Sequence, residues 1–123
     1  MSNIIVIGGG AAGMMAAYAA ALCGHQVKLM EQNEKLGKKI FITGKGRCNI
    51  TNAGDMDNLF ANLMSNPKFL YSAFYTFNNE QMMGFLEEYG LKMKVERGNR
   101  VFPVSDHSSD VIATLRKALE DKN

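Results

Sequence analysis

The sequence predicts an α/β fold that opens with a strand, a helix and a second strand. Three observations lead to this prediction: a run of β-branched residues, an alanine-rich segment after a glycine-rich turn, and a second short apolar run. The chain has 123 residues, the length of one small domain. With 46% hydrophobic and 21% charged residues, its composition excludes a collagen-like, disulfide-stapled or wholly disordered protein.

The first strand is predicted at residues 3–7, where four β-branched residues follow one another. Such a run is typical of a parallel strand that is covered on both faces, so we expect this strand to be buried. Residues 11–22 are predicted to form a helix because alanine, the best helix former, dominates them. Gly24 is expected to end that helix. A second strand at residues 26–31 completes a βαβ unit, which is right-handed almost without exception.

The remaining elements are less regular. Residues 32–55 lack periodicity and are rich in Gly, Lys, Asn and Thr, so we predict a long loop that contains one helical turn at most. In the helices and hairpin beyond it, Asn79 is the expected N-cap and Gly90 the stop of one helix, and Ser108 or Ser109 caps the last helix. The predicted helices are 57–64, 67–77, 79–89 and one from 108 or 109 onward, and the predicted hairpin strands are 91–96 and 100–104, with the turn at 97–99.

A glycine fingerprint joins the first strand to the first helix. Residues 8–13 satisfy the pattern G-x-G-x-x-G, between a strand and a helix as dinucleotide binding requires. Gly8 permits the tight turn, Gly10 lets the backbone approach a pyrophosphate, and Gly13 lets the helix pack closely on the strand. The helix amino terminus presents free N–H groups and a positive dipole end to phosphates. The pattern predicts a dinucleotide site.

Glu31 ends the second strand, 18 positions after Gly13. A carboxylate at this place can accept hydrogen bonds from both ribose hydroxyls of an adenosine. It would also repel a 2′-phosphate, so NADP is the least favoured ligand of this particular site. The competing interpretation is a structural turn that is followed by a surface glutamate.

The segment between Lys28 and Arg47 is basic, with six lysines and arginines against two glutamates. Phe41 is the one aromatic residue in it, so stacking on single-stranded nucleic acid is not expected, and a net charge of +2 is too small to argue for nucleic acid by itself. A cofactor pyrophosphate is the simpler counter-charge. The sequence therefore predicts no nucleic-acid partner.

The apolar amino terminus raises the question of a membrane or an export signal. No apolar run approaches the roughly 18 residues that a membrane span needs. The start of the chain lacks the basic region of a signal peptide, and glycines interrupt its apolar run. We therefore expect a cytoplasmic location and no membrane partner. The two cysteines, Cys23 and Cys48, stand far apart in the sequence, which indicates a reducing compartment.

The stretch GKKIFITGKGRCNITN at residues 37–52 resembles a signature of a bacterial flavoprotein family, the NAD(P)/FAD-dependent oxidoreductases of aminoacetone oxidase-like and 3-dehydro-bile acid reductase-like type. That family pairs an amino-terminal G-x-G-x-x-G with a GKK…(S/T)G-x-GRCN-x-TN loop. The segment GNRVFPVS at residues 98–105 is similar to a further family segment, GRVFP-x-S. Two departures are Lys45, where glycine is common, and the inserted Asn99. The resemblance covers essentially the whole chain.

The resemblance implies a Rossmann-like FAD-binding βαβ unit of the glutathione reductase type, followed by helices and a β-hairpin, in an incomplete doubly wound domain. It also implies a set of cofactor contacts, which agrees in part with the chemistry of the residues. Glycines let backbone N–H groups approach a ring or phosphate, and an arginine can offset phosphate charge. By the resemblance, the pyrophosphate contacts are Gly8, Gly10, Ala12 and Gly13, the ribose contacts Glu31 and Gln32, and the flavin-side contacts Lys39, Gly44, Gly46, Arg47, Cys48 and Asn49.

The function that the resemblance implies is hydride transfer between FAD and either a small organic substrate or NAD(P)H. Residues 1–123 would be the amino-terminal part of an FAD/NAD(P)-binding domain, because a doubly wound sheet needs about five or six strands and the sequence supplies two and a hairpin. The substrate domain would then lie in a missing carboxy-terminal part of the same protein. Neither a catalytic acid or base nor a set of metal ligands is identified. Two alternatives stay open: an NAD-binding module of a dehydrogenase, and a truncated chain without catalysis that needs a carboxy-terminal partner.

Several side chains outside the motifs also carry expectations. A thiol next to Arg47 could serve as a redox centre, but without a nearby second cysteine Cys48 is expected to pack as a small residue beside the cofactor. Cys23 is expected in the core. An aromatic group on the helix 67–77 is expected to form a core face rather than a partner surface, and consists of Tyr71, Phe74, Tyr75 and Phe77.

Overall fold

The computed structural model describes residues 1–122 and contains a parallel two-stranded sheet and an antiparallel three-stranded sheet, with α-helices between and beside them. The strands are β1 (Asn3–Ile7), β2 (Gln26–Met30), β3 (Thr51–Asn52), β4 (Met93–Glu96) and β5 (Arg100–Pro103). The α-helices are α1 (Ala11–Leu22), α2 (Lys38–Ile42), α3 (Met56–Ala61), α4 (Tyr71–Thr76), α5 (Asn79–Glu88) and α6 (Ser108–Lys122). Among the described residues, no helix combines the length and the apolar character that a membrane crossing requires.

The predicted βαβ unit is confirmed. Strand β1 pairs in parallel with β2, with Asn3 opposite Gln26, and α1 connects them. Gly24 ends α1 as predicted: its φ of +87° is left-handed, and its N–H donates to the carbonyl of Ala21 at 3.0 Å. Glycine enters this conformation without the steric cost that a Cβ imposes.

The prediction that β1 is covered on both faces is wrong for the described part of the chain. Successive strand side chains point to opposite faces, and α1 lies on the face of Val6, whose side chain approaches Gly13. On the other face, Ile5 is 63% exposed and Ile7 is 86% exposed. The β-branched run therefore predicts the strand correctly but does not predict how much of the strand is buried.

The segment 32–55 is more ordered than the predicted loop. It contains α2, a 3-10 turn over Thr43–Gly46 and the short strand β3. The hairpin of β4 and β5 is confirmed, with its turn at Arg97–Asn99. Strand β3 adds to the free edge of that hairpin, where Thr51 lies opposite Val101. The long segment thus returns to a part of the chain some fifty residues later.

Two of the predicted N-caps are wrong, although both helices begin at a predicted residue. Asn78, not Asn79, is the N-cap of α5: Asn78 is extended and its side chain accepts a hydrogen bond from the N–H of Gln81 at 2.8 Å, in a capping box. The Asn79 side chain instead donates to the carbonyl of Gly54 at 2.9 Å. Ser108 is the first residue of α6, and its hydroxyl donates to the carbonyl of Phe41 at 2.7 Å.

The predicted helices before α5 are shorter than expected. Helix α3 ends at Ala61, and the predicted helix 67–77 is divided into a 3-10 turn over Pro67–Leu70 and α4. The aromatic residues of α4 are not a core face as expected. Tyr71 is 42% exposed and Tyr75 is 68% exposed. They surround Phe60 of α3, with ring centroids 4.7 and 5.8 Å away, so these rings pack on one another and not in the buried core.

The main core lies where α1, α5 and α6 meet. Met14 of α1 and Leu86 of α5 are essentially inaccessible to solvent. Cys48 is buried in the same core, which confirms that it packs as a small residue. Cys23 is exposed, contrary to expectation, because it is the C-cap of α1 and lies beyond the packed part of the helix. The buried residues of this core are Met14, Ile40, Cys48, Phe85, Leu86, Leu91, Val111, Leu115 and Ala118.

Candidate functional site

The glycine fingerprint forms a tight turn from β1 into α1. Gly8 has a φ of +102°, and its N–H donates to the carbonyl of Met30 at 2.7 Å, which fastens the turn to the end of β2. Gly10 is the N-cap of α1 and is extended, and no side chain caps the helix. The N–H groups of the first helical turn are therefore left for a ligand, and the dipole at this end favours an anion.

The space around the α-carbon differs between Gly10 and Gly13. A Cβ on Gly13 would collide with the carbonyl oxygen of Gly8 and lie 2.9 Å from its carbonyl carbon. A Cβ on Gly10 would meet no heavy atom within 4 Å. Gly13 thus allows the helix to pack closely on the turn, whereas the missing side chain of Gly10 leaves open space in front of the helix end. This cradle therefore offers free N–H donors with open space in front of them, which are features of phosphate sites at helix ends.

Glu31 lies beside the glycine turn. Its carboxylate accepts hydrogen bonds from the N–H of Gly9 at 2.8 Å and from both the N–H and the side-chain amide of Asn33 at 2.7 Å each. The N–H groups of Asn33 and Gly9 hold the pKa of Glu31 below its usual range. The carboxylate is therefore an anion that is fixed next to the turn. Gln32 follows it and is exposed.

The second motif begins in direct contact with the first. The N–H of Gly37 donates to the carbonyl of Gly9 at 2.8 Å, and the Leu36 side chain packs against Gly9. Gly37 has a φ of +74° and is the N-cap of α2, on which Lys39 is exposed. The structure thus brings together the glycine turn, Glu31 and the start of the loop that resembles the family signature.

Apart from Lys39, which lies on α2, the flavin-side residues of the prediction follow that helix in a compact turn at residues 43–49. Left-handed φ values occur at Gly44, Lys45, Gly46 and Cys48. The N–H of Arg47 donates to the carbonyl of Gly44 at 3.1 Å, which closes the turn internally. Lys45 has a φ of +56°, a conformation that glycine adopts more readily, so the departure from the family pattern at this position has a local steric cost.

Asn49 fastens the end of this turn to the antiparallel sheet. Its side-chain amide donates to the carbonyls of Thr51 at 3.0 Å and Val101 at 3.1 Å. The N–H of Ile50 donates to the same Val101 carbonyl at 2.8 Å. The amide of Asn49 thus has a structural task in addition to the flavin contact that the resemblance implies.

Arg47 belongs to a closed ring of four alternating charges, which we call the charge ring: Arg47, Asp106, Lys94 and Glu96. The Arg47 guanidinium contacts Glu96 and donates from Nε to Asp106 at 2.9 Å. Lys94 Nζ lies 2.8 Å from Asp106 and 3.2 Å from Glu96. The guanidinium also stacks on the ring of Phe102, 4.0 Å from its centroid.

The basic members of the charge ring stabilise the ionised form of its two carboxylates. The hydrogen bond from Arg47 holds the pKa of Glu96 below its usual range, and those from Lys94 and then Arg47 do the same for the pKa of Asp106. Three of the four members were not identified from the sequence. Glu96 and Asp106 lie 49 and 59 positions after Arg47, so no local spacing connects them to it.

Burial determines the chemistry of Cys48. Desolvation raises the pKa of its thiol, which outweighs the opposing hydrogen bond with Thr43. The thiol is therefore neutral near pH 7, which suits packing and does not suit a thiolate nucleophile.

A cavity of about 650 Å³ lies between α6 on one side and, on the other, α2 together with the segment before it. Apolar side chains such as Leu36, Phe41 and Ile112 line it, together with charged residues that include Lys38 and Arg116. None of the predicted site residues lines this cavity. The candidate cofactor site is instead the glycine turn with Glu31 and the start of the second motif, which the structure brings together.

Comparison with known proteins identifies the family of the chain. The family described as the HI0933-like protein Rossmann domain matches residues 2–123. Over 121 residues the chain is 37% identical to the 3-dehydro-bile acid delta(4,6)-reductase of Clostridium scindens, covering 97% of the chain and 29% of that protein. It is 30% identical to the ribosomal RNA dihydrouridine synthase of Escherichia coli and 31% identical to that of Haemophilus influenzae, each over 121 residues and 98% of the chain, covering 30% and 29% of those proteins.

Proposed function

The chain belongs to the HI0933-like Rossmann-domain family, and from this premise we propose that it is the FAD-binding part of a flavoprotein oxidoreductase. The observation that carries the proposal is the uncapped amino terminus of α1 with open space in front of Gly10. Backbone N–H groups at such a helix end bind phosphate without competition from a side chain. FAD combines a pyrophosphate with an adenosine and a flavin ring, and so it uses both this cradle and the turn at residues 43–49.

In this proposal each part of the site has one task. The glycine turn at Gly8, Gly10 and Gly13, together with Ala12, holds the pyrophosphate. The carboxylate of Glu31 exchanges its contact with Asn33 for the ribose hydroxyls, while Gln32 lies beside it. Lys39 and the backbone of the 43–49 turn face the flavin. Bound FAD would supply hydride transfer to or from a substrate or NAD(P)H, and the protein residues orient it and exclude water.

The chain spans 29% to 30% of the length of these relatives. We propose that residues 1–123 are the amino-terminal part of an FAD/NAD(P)-binding domain and that a further part of the same protein supplies the substrate domain. The exposed face of β1, with Ile5 and Ile7 uncovered, supports this because apolar strand faces are normally covered by another layer.

The names of the relatives bear on the substrate. One relative is a reductase of a bile-acid derivative, and two others form dihydrouridine, which is uridine with two added hydrogens. We propose the class common to them, the reduction of an unsaturated organic substrate. A small molecule remains our choice of substrate, because the segment from Lys28 to Arg47 contains the single aromatic residue Phe41 and thus offers little stacking surface for RNA bases.

The test is to purify the chain and titrate it with FAD while visible flavin absorbance and fluorescence are recorded. We expect stoichiometric uptake with a Kd that ADP-ribose, which shares the adenosine and pyrophosphate, raises by competition. A folded chain that takes up no FAD would refute the proposal. If the same folded chain binds NADH instead, followed by its fluorescence, then the site belongs to an NAD-dependent dehydrogenase.

A further inference from the structure

The charge ring connects the turn at residues 43–49 to the hairpin of β4 and β5. Arg47 lies on the turn, Glu96 and Lys94 lie on β4, and Asp106 follows β5. Each acid contacts both bases, so the ring is closed and its formal charge is zero. The positive charge of Arg47 is therefore already balanced by protein groups.

Packing beneath the ring joins the same two segments. The ring of Phe102, on β5, is buried under the Arg47 guanidinium. A Cβ on Gly44 would lie 2.8 Å from the backbone nitrogen of Asn49 and 3.4 Å from Phe102, so this glycine lets the turn close tightly while the turn stays in ordinary contact with the aromatic ring. Asn49 and Ile50 both donate to the carbonyl of Val101 on the same strand. The turn is thus held on β5 at its start, its middle and its end.

We infer that Arg47 is a positioning residue, held by Glu96 and Asp106, that fixes the 43–49 turn in the geometry needed for cofactor binding and does not itself bind phosphate. The inference rests on the proposed function, since it gives the backbone of this turn the contacts with the flavin. Two observations carry it. Both carboxylates already bind the guanidinium, and its flat face is covered by Phe102.

The alternative role, a direct phosphate contact by Arg47, makes the opposite prediction for Glu96. If Arg47 binds phosphate, then Glu96→Gln removes a competing acid and leaves FAD binding unchanged or tighter. If Arg47 positions the turn, the same substitution loosens the turn and weakens FAD binding. The direction of the Glu96→Gln effect therefore distinguishes the two roles.

The first experiment measures the Kd of FAD for the full chain and for Arg47→Gln, Glu96→Gln and the double variant. Positioning predicts that each single variant weakens binding by about three- to tenfold and that the double variant is no weaker than the poorer single one, since coupled residues are not additive. Lys92→Gln, on an exposed lysine just before β4, is the matched charge control and should leave Kd unchanged. If Glu96→Gln does not fold, Asp106→Asn removes the other acid that contacts Arg47 and takes its place.

A conservative substitution separates positioning from simple charge. Lysine keeps the positive charge but lacks the planar fork and the stacking surface of arginine. Arg47→Lys should therefore bind FAD as weakly as Arg47→Gln, with the same change in the absorbance spectrum of the bound flavin. Recovery of the original Kd by Arg47→Lys would overturn the inference in favour of a phosphate contact.

Hydrogen exchange provides a readout that does not depend on FAD. The amides of Arg47 and Cys48 donate to carbonyls within the turn, and they should exchange faster in Glu96→Gln than in the original chain or in Lys92→Gln. Unchanged exchange at both amides would overturn the inference even if FAD binds. If the original chain binds no FAD, the proposed function fails, while faster exchange in Glu96→Gln still supports the positioning of the turn.

Discussion

Substitution of Gly10 by alanine tests the pyrophosphate cradle without disturbing the fold. Gly10 has φ and ψ of −86° and −166°, an extended conformation that any residue adopts. An added Cβ meets no heavy atom within 4 Å, so the folded protein accommodates it. Because glycine is a better N-cap than alanine, we expect the free energy of unfolding to fall by about 1 kcal/mol.

The effect of Gly10→Ala on the cofactor should be much larger. The methyl group would occupy the space through which phosphate oxygens reach the N–H groups of the first helical turn. Hydrogen bonds to charged groups contribute about 1.5 to 3 kcal/mol each, so the loss of two weakens FAD binding by about 100-fold or more.

The assay is a fluorescence titration with FAD, accompanied by urea unfolding of the same samples. Gly84→Ala is the matched control, since Gly84 lies inside α5 and an added Cβ there also meets nothing within 4 Å. It should leave the Kd of FAD unchanged and stabilise the protein by about 0.5 to 1 kcal/mol. Our reasoning is refuted if Gly10→Ala is folded and binds FAD with the original Kd, because the pyrophosphate then does not lie in front of Gly10.

Three further predictions concern stability and reactivity. Gly13→Ala should lower the free energy of unfolding by about 1 to 3 kcal/mol in urea titrations, because its Cβ collides with the Gly8 carbonyl; an unchanged midpoint would contradict the close packing. The pKa of Glu31 is lower in the folded protein than its ordinary value of 4.5, so the stability that Glu31 contributes is present above pH 4.5 and is lost as the pH falls through the folded pKa. Thermal melts from about pH 3 to about pH 7 should therefore show a smaller loss of stability in acid for Glu31→Gln than for the original chain. Exposed Cys23 should react with a thiol reagent far faster than buried Cys48, and equal rates in Cys23→Ser and Cys48→Ser variants would argue against the core position of Cys48.

The opening βαβ unit could be predicted because its signals are local. The bounds of β1 and α1 coincide with the predicted residues, since the β-branched run, the glycine turn and the alanine segment each act over a few positions. The place of Glu31 beside the turn follows from the same unit. The glycine fingerprint and the acidic residue therefore carried most of the information about the candidate site.

The N-cap of α5 could have been predicted from a local signal that the sequence prediction did not use. Two consecutive asparagines, Asn78 and Asn79, have equal intrinsic capping ability, but only Asn78 is followed three positions later by a glutamine, Gln81, as a capping box requires. The Asn79 side chain is bound instead to the carbonyl of Gly54, in another part of the chain. The pairing of β3 with β5 was missed for a different reason, because it joins segments about fifty residues apart and no local pattern predicts it.

Arg47 illustrates the corresponding limit for electrostatics. In the sequence it is one of six basic residues near a phosphate-binding turn, and a phosphate partner is the natural expectation. The fold brings two carboxylates and a lysine to the same place from a hairpin about fifty residues later. Because the four charges of the ring cancel, Arg47 no longer attracts an anion, even though basic residues surround it in the sequence. The positive potential of the candidate site must then come from the helix end at Gly10 and from the exposed lysines, such as Lys39, that make no contact with the charge ring.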